Sequence, residues 1–317
     1  RSIASPLHIL ALGILLVAPV AACHGQDVRT LPESRLLSDL ESLAADAMEG
    51  RRTGTTGNAL ARQFLLNRLE EEELSPLGTS GFEHPFPVVR SDGADEVQGV
   101  NLAAAVEGRS RPGLWTVITA HYDHLGVRED EVFNGADDNA SGTAALLHLA
   151  SHFRQHPPMH SILFLFVDAE EMGLQGARAF IQHPLISLDS VVLNVNLDMV
   201  SRSPEGELYV AGTHHTPALR ARVQAVPPGD GVTLLFGHDS PDLPPGDDWT
   251  LSSDHGPFHQ AGIPFLYFGV EDHPGYHHPS DTFENVTPRF YQAAVGTIGD
   301  IIRSLDPQLP ELLALKR

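Results

Sequence analysis

Leu36, Leu37, Leu40 and Leu43 recur at the spacing of one helical face, and the pattern is then broken by Gly50, Arg51, Gly54 and Gly57. A second helix is predicted over about 58–72, with Ala61, Phe64, Leu65 and Leu69 as its buried stripe and Leu77-Gly78 marking its end. Beyond this point the period changes. Short aliphatic or β-branched runs at 102–106, 115–120, 162–167, 191–197, 208–211 and 264–270 read as strands. Helical patterns at 140–153, 173–182, 217–224 and 288–305 lie among and after them. Near-continuous apolar strands are buried on both faces, so their alternation with amphipathic helices predicts an α/β sheet covered by helices on both sides. Residues 227–248, rich in Pro, Gly and Asp, are too long for a simple connection and are expected to form a functional loop at a pocket rim.

The amino end obeys another rule. Residues 7–22, LHILALGILLVAPVAA, are apolar, too short to span a bilayer comfortably, and end in small side chains, as a secretory leader does. The VAAC that follows resembles the lipobox of bacterial lipoproteins, which implies lipidation at Cys23 and a periplasmic or outer-membrane location, with plain secretion as the alternative. The chain therefore divides into a leader over 1–23, a linker over 24–33 and one catalytic domain over 34–317. Cys23 is the only cysteine, so no internal disulfide can form and stability must come from the core. The 42% hydrophobic and 19% charged composition is that of an ordinary globular protein. With 20 basic against 41 acidic residues, the net charge of -21 argues against nucleic acid or an anionic membrane surface as a partner, leaving the lipid anchor as the membrane link.

Candidate chemistry falls just after the apolar runs, where ligands bind in open α/β sheets. In TVITAHYDHLG, His121 reads as a metal ligand and Asp123, two positions on, as the carboxylate that orients its ring. In GADDNASG two carboxylates precede a helix; capping explains one of them, and bridging two cations would explain the other. ILFLFVDAEEMGLQG carries Asp168, Glu170 and Glu171 to the edge of a core, which is costly unless the charges meet a cation. One glutamate can then ligate while the other accepts a proton from water. Asp198 follows VVLNVNL, where a ligand or a helix cap fits equally well. His277, His278 and Asp281 lie in a proline-containing loop, in which a surface histidine pair would be unremarkable.

The order HxD, DDNxSG, EEMGLxG, NLDM, SDHGPF and YHHPSDT resembles the M28 family of co-catalytic zinc peptidases, which includes bacterial leucyl-type aminopeptidases. The likeness runs from about residue 36 to 302 and takes in MEGRRTGTTGN. It implies a central mixed, mostly parallel β-sheet flanked by helices on both faces, the zinc-exopeptidase architecture, acting on peptides with a free amino terminus. Two zinc ions are implied, one held by His121 and Asp198 and the other by Glu171 and His277. Asp138, three before Ser141, would bridge them, and His277 stands four before Asp281 as the family ligand does. By the same resemblance Glu170 is the general base for a water between the metals, Asp123 orients His121, and Tyr276 stabilises the oxyanion. The bulky His278 departs from the usual small residue, and the 82–115 interval has no room for a protease-associated domain. Related chemistries stay open: a one-zinc glutaminyl cyclase, a carboxypeptidase, or an inactive lipid-anchored binding protein. The intact set of ligands and base favours a hydrolase.

Overall fold

Strands and helices alternate along most of the chain in the computed structural model, which describes Ser2 and residues 33–89, 97–244 and 246–316. Apart from Ser2, the expected leader, Cys23 and the linker as far as residue 32 lie outside the described residues. The first described elements are α1 (Glu33–Leu43) and α2 (Thr56–Glu71), which bury Leu36, Leu40, Leu43, Leu65 and Leu69. They are tied together by a buried pair in which Arg68 donates to both oxygens of Asp39, at 3.0 and 3.1 Å. The strands β1 (Ser75–Pro76), β2 (Glu83–Val88) and β3 (Val97–Val106) follow, then β4 (Trp115–His121), the β5 (Gly126–Arg128) and β6 (Glu131–Phe133) hairpin, α3 (Gly142–Gln155) and β7 (Ser161–Val167). After them come α4 (Gln175–Gln182), β8 (Val191–Leu197), β9 (Glu207–Ala211), α5 (Pro217–Gln224), β10 (Thr233–Phe236), α6 (His255–Gln260), β11 (Phe265–Gly269), α7 (Pro288–Leu305) and α8 (Leu309–Leu313).

The main sheet runs β1-β3-β7-β4-β8-β11-β9-β10, with β2 also on β3. Its centre, β7-β4-β8-β11, is parallel, and antiparallel pairs join β3 to β7 and β9 to β11. The fold is thus the expected mixed α/β sheet with a parallel heart and helices on both faces. Side-chain alternation explains the two layers. Phe164 and Phe166 of β7 enter a core shared with α1, α2, α3 and α7, whereas Leu163, Leu165 and Val167 enter a second core with Phe180 of α4 and Phe258 of α6.

Several strands differ from the pattern-based expectation, among them the short β1, β5 and β6, which no apolar run announced. β3 starts five positions early because Val88 of β2 pairs with Val97, and β2 itself, EHPFPV, is masked by two prolines. Pro85 and Pro87 are tolerated because β2 pairs on one side only, leaving the positions that lack an N–H on the open edge. The 227–248 segment is not wholly irregular, since β10 lies in it, parallel to β9.

Candidate functional site

Adjacent parallel strands deliver their carboxyl ends to one crevice. His121 is the last residue of β4, Glu170 and Glu171 follow β7, Asp198 follows β8, and His277 lies in the loop after β11. Asp138 sits in the irregular turn that leads into α3. Donors as far apart in sequence as Asp138 and His277 therefore close to 3.1 Å.

His121 Nε2 lies 3.4 Å from Asp138 Oδ1 and 3.4 Å from Asp198 Oδ1. On the other side, His277 Nε2 is 3.1 Å from Asp138 Oδ2 and 3.5 Å from Glu171 Oε2. Asp138 faces both halves, one oxygen to each. Asp137 turns elsewhere, accepting from the Ser201 amide and hydroxyl at 2.7 Å each and lying 3.1 Å from His273. Donor atoms group as His121, Asp138 and Asp198, and as His124, Asp138 and Glu171, each set within 4.8 Å and each able to hold a cation. Asp198 Oδ1 and His124 Nε2 are buried without a hydrogen-bond partner, and Glu171 Oε1 and His124 Nδ1 are buried 2.8 Å apart. Buried oxygen and imidazole atoms gathered this closely fit the hard, N/O donor set of zinc.

His124 was not singled out by the sequence reading. It is buried, with Nδ1 2.8 Å from Glu171 Oε1, and its signal was the HLG that continues the HxD motif. Ser253 is a second addition: its hydroxyl donates to Asp198 Oδ2 at 2.6 Å, which gives the SDHGPF motif a physical job. Ser253 in turn accepts from Asn196, whose Oδ1 accepts from Thr119, so a buried polar chain runs beneath the crevice.

Asp123 occupies a different station from a simple ring orienter. His121 Nδ1 is 3.1 Å from the Asp123 carbonyl and 3.6 Å from its carboxylate. The carboxylate instead accepts the Glu170 amide at 3.0 Å and the Glu171 amide at 3.3 Å. Leaving such buried N–H groups unpaired would cost about 1–3 kcal/mol each, so Asp123 fixes the backbone that presents both glutamates. Asp168 holds the same turn from below, accepting from Thr53 at 2.8 Å, Asn58 at 2.9 Å and the Val100 amide at 2.9 Å. Burial, then the Asp123 charge, still pushes its carboxyl up to about 6.

The field of the site is strongly negative. Burial opposes charge on His121, yet Asp198 and Glu170, helped by contacts with Asp123 and Asp138, hold its imidazole well above the usual value. His277 is drawn up to about 10, first by its contact with Asp138 and then by that with Glu171. Burial pushes Glu170 well above the carboxylate range, and Glu171, Asp198 and Asp254 add to this against the pull of His121. A site that pulls protons onto its imidazoles this way is one a cation would occupy in their place. Tyr276 stacks on His277 at 4.0 Å between ring centroids, and burial followed by the charges of Asp138 and Asp198 raises its hydroxyl above its ordinary value. His278 is exposed at the edge of the same loop.

The crevice has a volume of about 420 Å³ and is walled by Leu174, Met199, Trp249, Leu251, Tyr267 and Tyr276 around the carboxylates. Gly246 also lines it, so the end of the 227–248 segment does reach the rim. A larger cavity of about 760 Å³ opens elsewhere among Leu36, His148, Glu205, Arg289 and Phe290, but it contains none of the clustered donors, so the chemistry belongs to the smaller one.

The sequence profile of Peptidase family M28 matches residues 101–302 of the 317. Aminopeptidase YwaD of Bacillus subtilis is 34% identical over 197 residues, which make up 58% of this chain and 39% of that relative's length. Among solved structures, a Bacteroides thetaiotaomicron glutaminyl cyclase aligns with a TM-score of 0.69 at 17% identity, over 86% of this chain and 97% of its own. A Zn-dependent exopeptidase from Parabacteroides distasonis aligns with a TM-score of 0.68 at 16% identity, over 88% and 99%. At these identities the structural likenesses speak for the fold.

Proposed function

The chain belongs to peptidase family M28, and on that footing we propose that it is a two-zinc aminopeptidase that removes the amino-terminal residue of peptides. His121 and Asp198 would hold one ion, Glu171 and His277 the other, and Asp138 would be shared between them. The division of the Asp138 oxygens between the two imidazoles supports two cations over one. Zinc, when bound, would supply Lewis acidity to polarise the scissile carbonyl and to make water acidic near neutral pH. Glu170, half-buried at the crevice wall with its backbone held by Asp123, would take the proton from the attacking water and return it to the leaving amine. Tyr276, which lines the same crevice, would donate to the developing oxyanion.

One observation carries the choice of an aminopeptidase: the crevice is lined by Asp138, Glu170, Glu171, Asp198 and Asp272, and among the described residues lining it there is no Lys or Arg. With Asp138, Glu171 and Asp198 engaged by the ions, Glu170 and Asp272 remain to attract a substrate's α-ammonium group, and no Lys or Arg faces a terminal carboxylate, which weighs against a carboxypeptidase. The cyclase reading rests on the Bacteroides thetaiotaomicron likeness and predicts a single ion. Peptides with free amino termini, their amino-blocked forms and an amino-terminal glutaminyl peptide, assayed with zinc and with chelator beside metal analysis, separate these readings. The expected result is two zinc ions per chain and release of the first residue from free-amine substrates alone. Equal cleavage of amino-blocked peptides, or cyclisation with one zinc, would overturn it. An exported location with a lipid on Cys23 completes the proposal and is checked by fatty-acid labelling of the protein and its Cys23→Ser variant.

A further inference from the structure

Arg51 is 0% exposed, one of the largest fully buried side chains among the described residues, and lies well before the stretch matched by the family profile. The backbone that brings it inside is unusual. Glu49, Gly50 and Arg51 are successively left-handed, with φ of 47°, 61° and 52°. A Cβ at Gly50 would stand 2.4 Å from the Phe133 carbonyl oxygen and 2.6 Å from that of Gly126, so this turn is pressed against the β5–β6 hairpin. Non-glycine residues in that region, here Glu49 and Arg51 on either side of Gly50, persist only where the surroundings over-determine them.

What surrounds the guanidinium is main-chain carbonyl. Nε donates to Tyr122 at 2.8 Å, Nη1 to Leu43 at 2.7 Å and Asn134 at 2.6 Å, and Nη2 to Gly135 at 3.0 Å. Tyr122 stands between His121 and Asp123, and Gly135 is three residues before Asp138. One planar fork therefore ties the strand end that carries one imidazole to the turn that carries the shared carboxylate. From the other side the Asp281 carboxylate accepts the Asp137 amide at 3.1 Å and the Asp138 amide at 3.0 Å. The turn is held between a buried cation and a buried anion. Burial pulls the Arg51 guanidinium down to about 10, with Asp138 first among the charges opposing it, so it is a fixed cation at neutral pH. None of its four bonds is spent on a carboxylate, which leaves that charge acting on the acidic cluster above. Thr53 and Asn58, from the same stretch, reach Asp168 beneath the glutamate turn.

We propose that Arg51 is a positioning residue for the shared carboxylate Asp138, which makes the amino-terminal turn part of the catalytic unit rather than a packing accessory. The inference rests on the two-zinc reading above. A lysine cannot replace the fork, because four carbonyls in different directions need the planar donor set of a guanidinium.

The test compares Arg51→Lys, which keeps the charge and loses the fork, and Arg51→Met, which loses both, with Arg68→Met, which breaks the buried pair between α1 and α2. Zinc affinity is measured by chelator competition, coordination by the visible spectrum of the cobalt-substituted protein, and folding by Tm. Both Arg51 variants are expected to weaken zinc by about 10–100-fold, the usual effect of losing an outer-shell partner. They should also shift the cobalt bands and lower kcat with KM nearly unchanged. Arg68→Met should lower Tm alone. Folded Arg51 variants with wild-type affinity and spectrum, or with losses that track Tm as in Arg68→Met, would overturn the proposal. If Arg51→Met does not fold, Arg51→Lys decides between the same outcomes. Failure of the wild-type protein to bind zinc would instead remove the two-zinc reading, and this inference with it.

Discussion

At the scale of the residue, Glu170 and Asp138 share a crevice and have separable jobs. Glu170 belongs to neither donor group and is held by Asp123 through its amide, so its carboxyl can be changed without dismantling the cluster. Glu170→Gln is expected to retain its zinc and to lose about 10²–10⁴-fold or more in kcat, as read by metal analysis beside steady-state kinetics. Substantial residual turnover would remove Glu170 from the role of base. Asp138 belongs to both groups, so Asp138→Asn should reduce bound zinc at both positions together. Loss of one equivalent only would mean that the carboxylate is not shared. Glu171 faces His124 with one oxygen and His277 with the other. Comparing His124→Ala with His277→Ala by metal content therefore tells which imidazole the second ion needs.

At the scale of the element, α3 follows directly on the turn that carries Asp138, and its histidines make it sensitive to acid. Burial pulls His148 down to about 4, and burial followed by the Arg303 charge pulls His152 down to about 3. Both lie below the unfolded value near 6.5, so the unfolded chain binds protons first. Their contribution to stability is present above about pH 6.5 and is lost as pH falls toward 4 and below. The denaturant midpoint of the chelated protein should drop between pH 7 and 4, and His148→Leu should flatten part of that drop; an unchanged slope would contradict the assignment. Elements with a strong period were readable from the chain alone: α5 and α7 have the predicted limits of 217–224 and 288–305. β2 was not, because Pro85 and Pro87 look like turn residues until it is known that the strand has an open edge. β10 was hidden for a related reason, being four residues inside a stretch rich in Pro and Gly.

At the scale of the whole molecule, the site is a junction. Its donors come from the ends of β4, β7, β8 and β11 and from the entry to α3, and the two cores pack these elements from opposite faces of one sheet. Ions held across so many elements bind the folded chain and not the unfolded one, so zinc should stabilise the fold by mass action. Stripping with a chelator is expected to lower Tm, restoring zinc should raise it in a concentration-dependent way, and an unchanged Tm would count against tight binding at this junction. No described helix is long and apolar enough to cross a membrane.

The chain by itself determined the central strands β4, β7, β8, β9 and β11 and that acids and histidines stand near their ends, because periodicity and the cost of unpaired charge at a core edge are local properties of the sequence. The ordered motifs added the family. Tertiary structure decided what those residues do to one another. It turned Asp138 into the crevice and Asp137 onto Ser201, spent the Asp123 carboxylate on the Glu170 and Glu171 amides, and set His124 against Glu171. It also carried Arg51 from an apparently loose glycine-rich turn to the underside of the site. None of this is local: strand order and the direction of a buried side chain depend on distant partners, 84 residues away for Arg51 and 144 for Asp137, which no pattern of neighbours records.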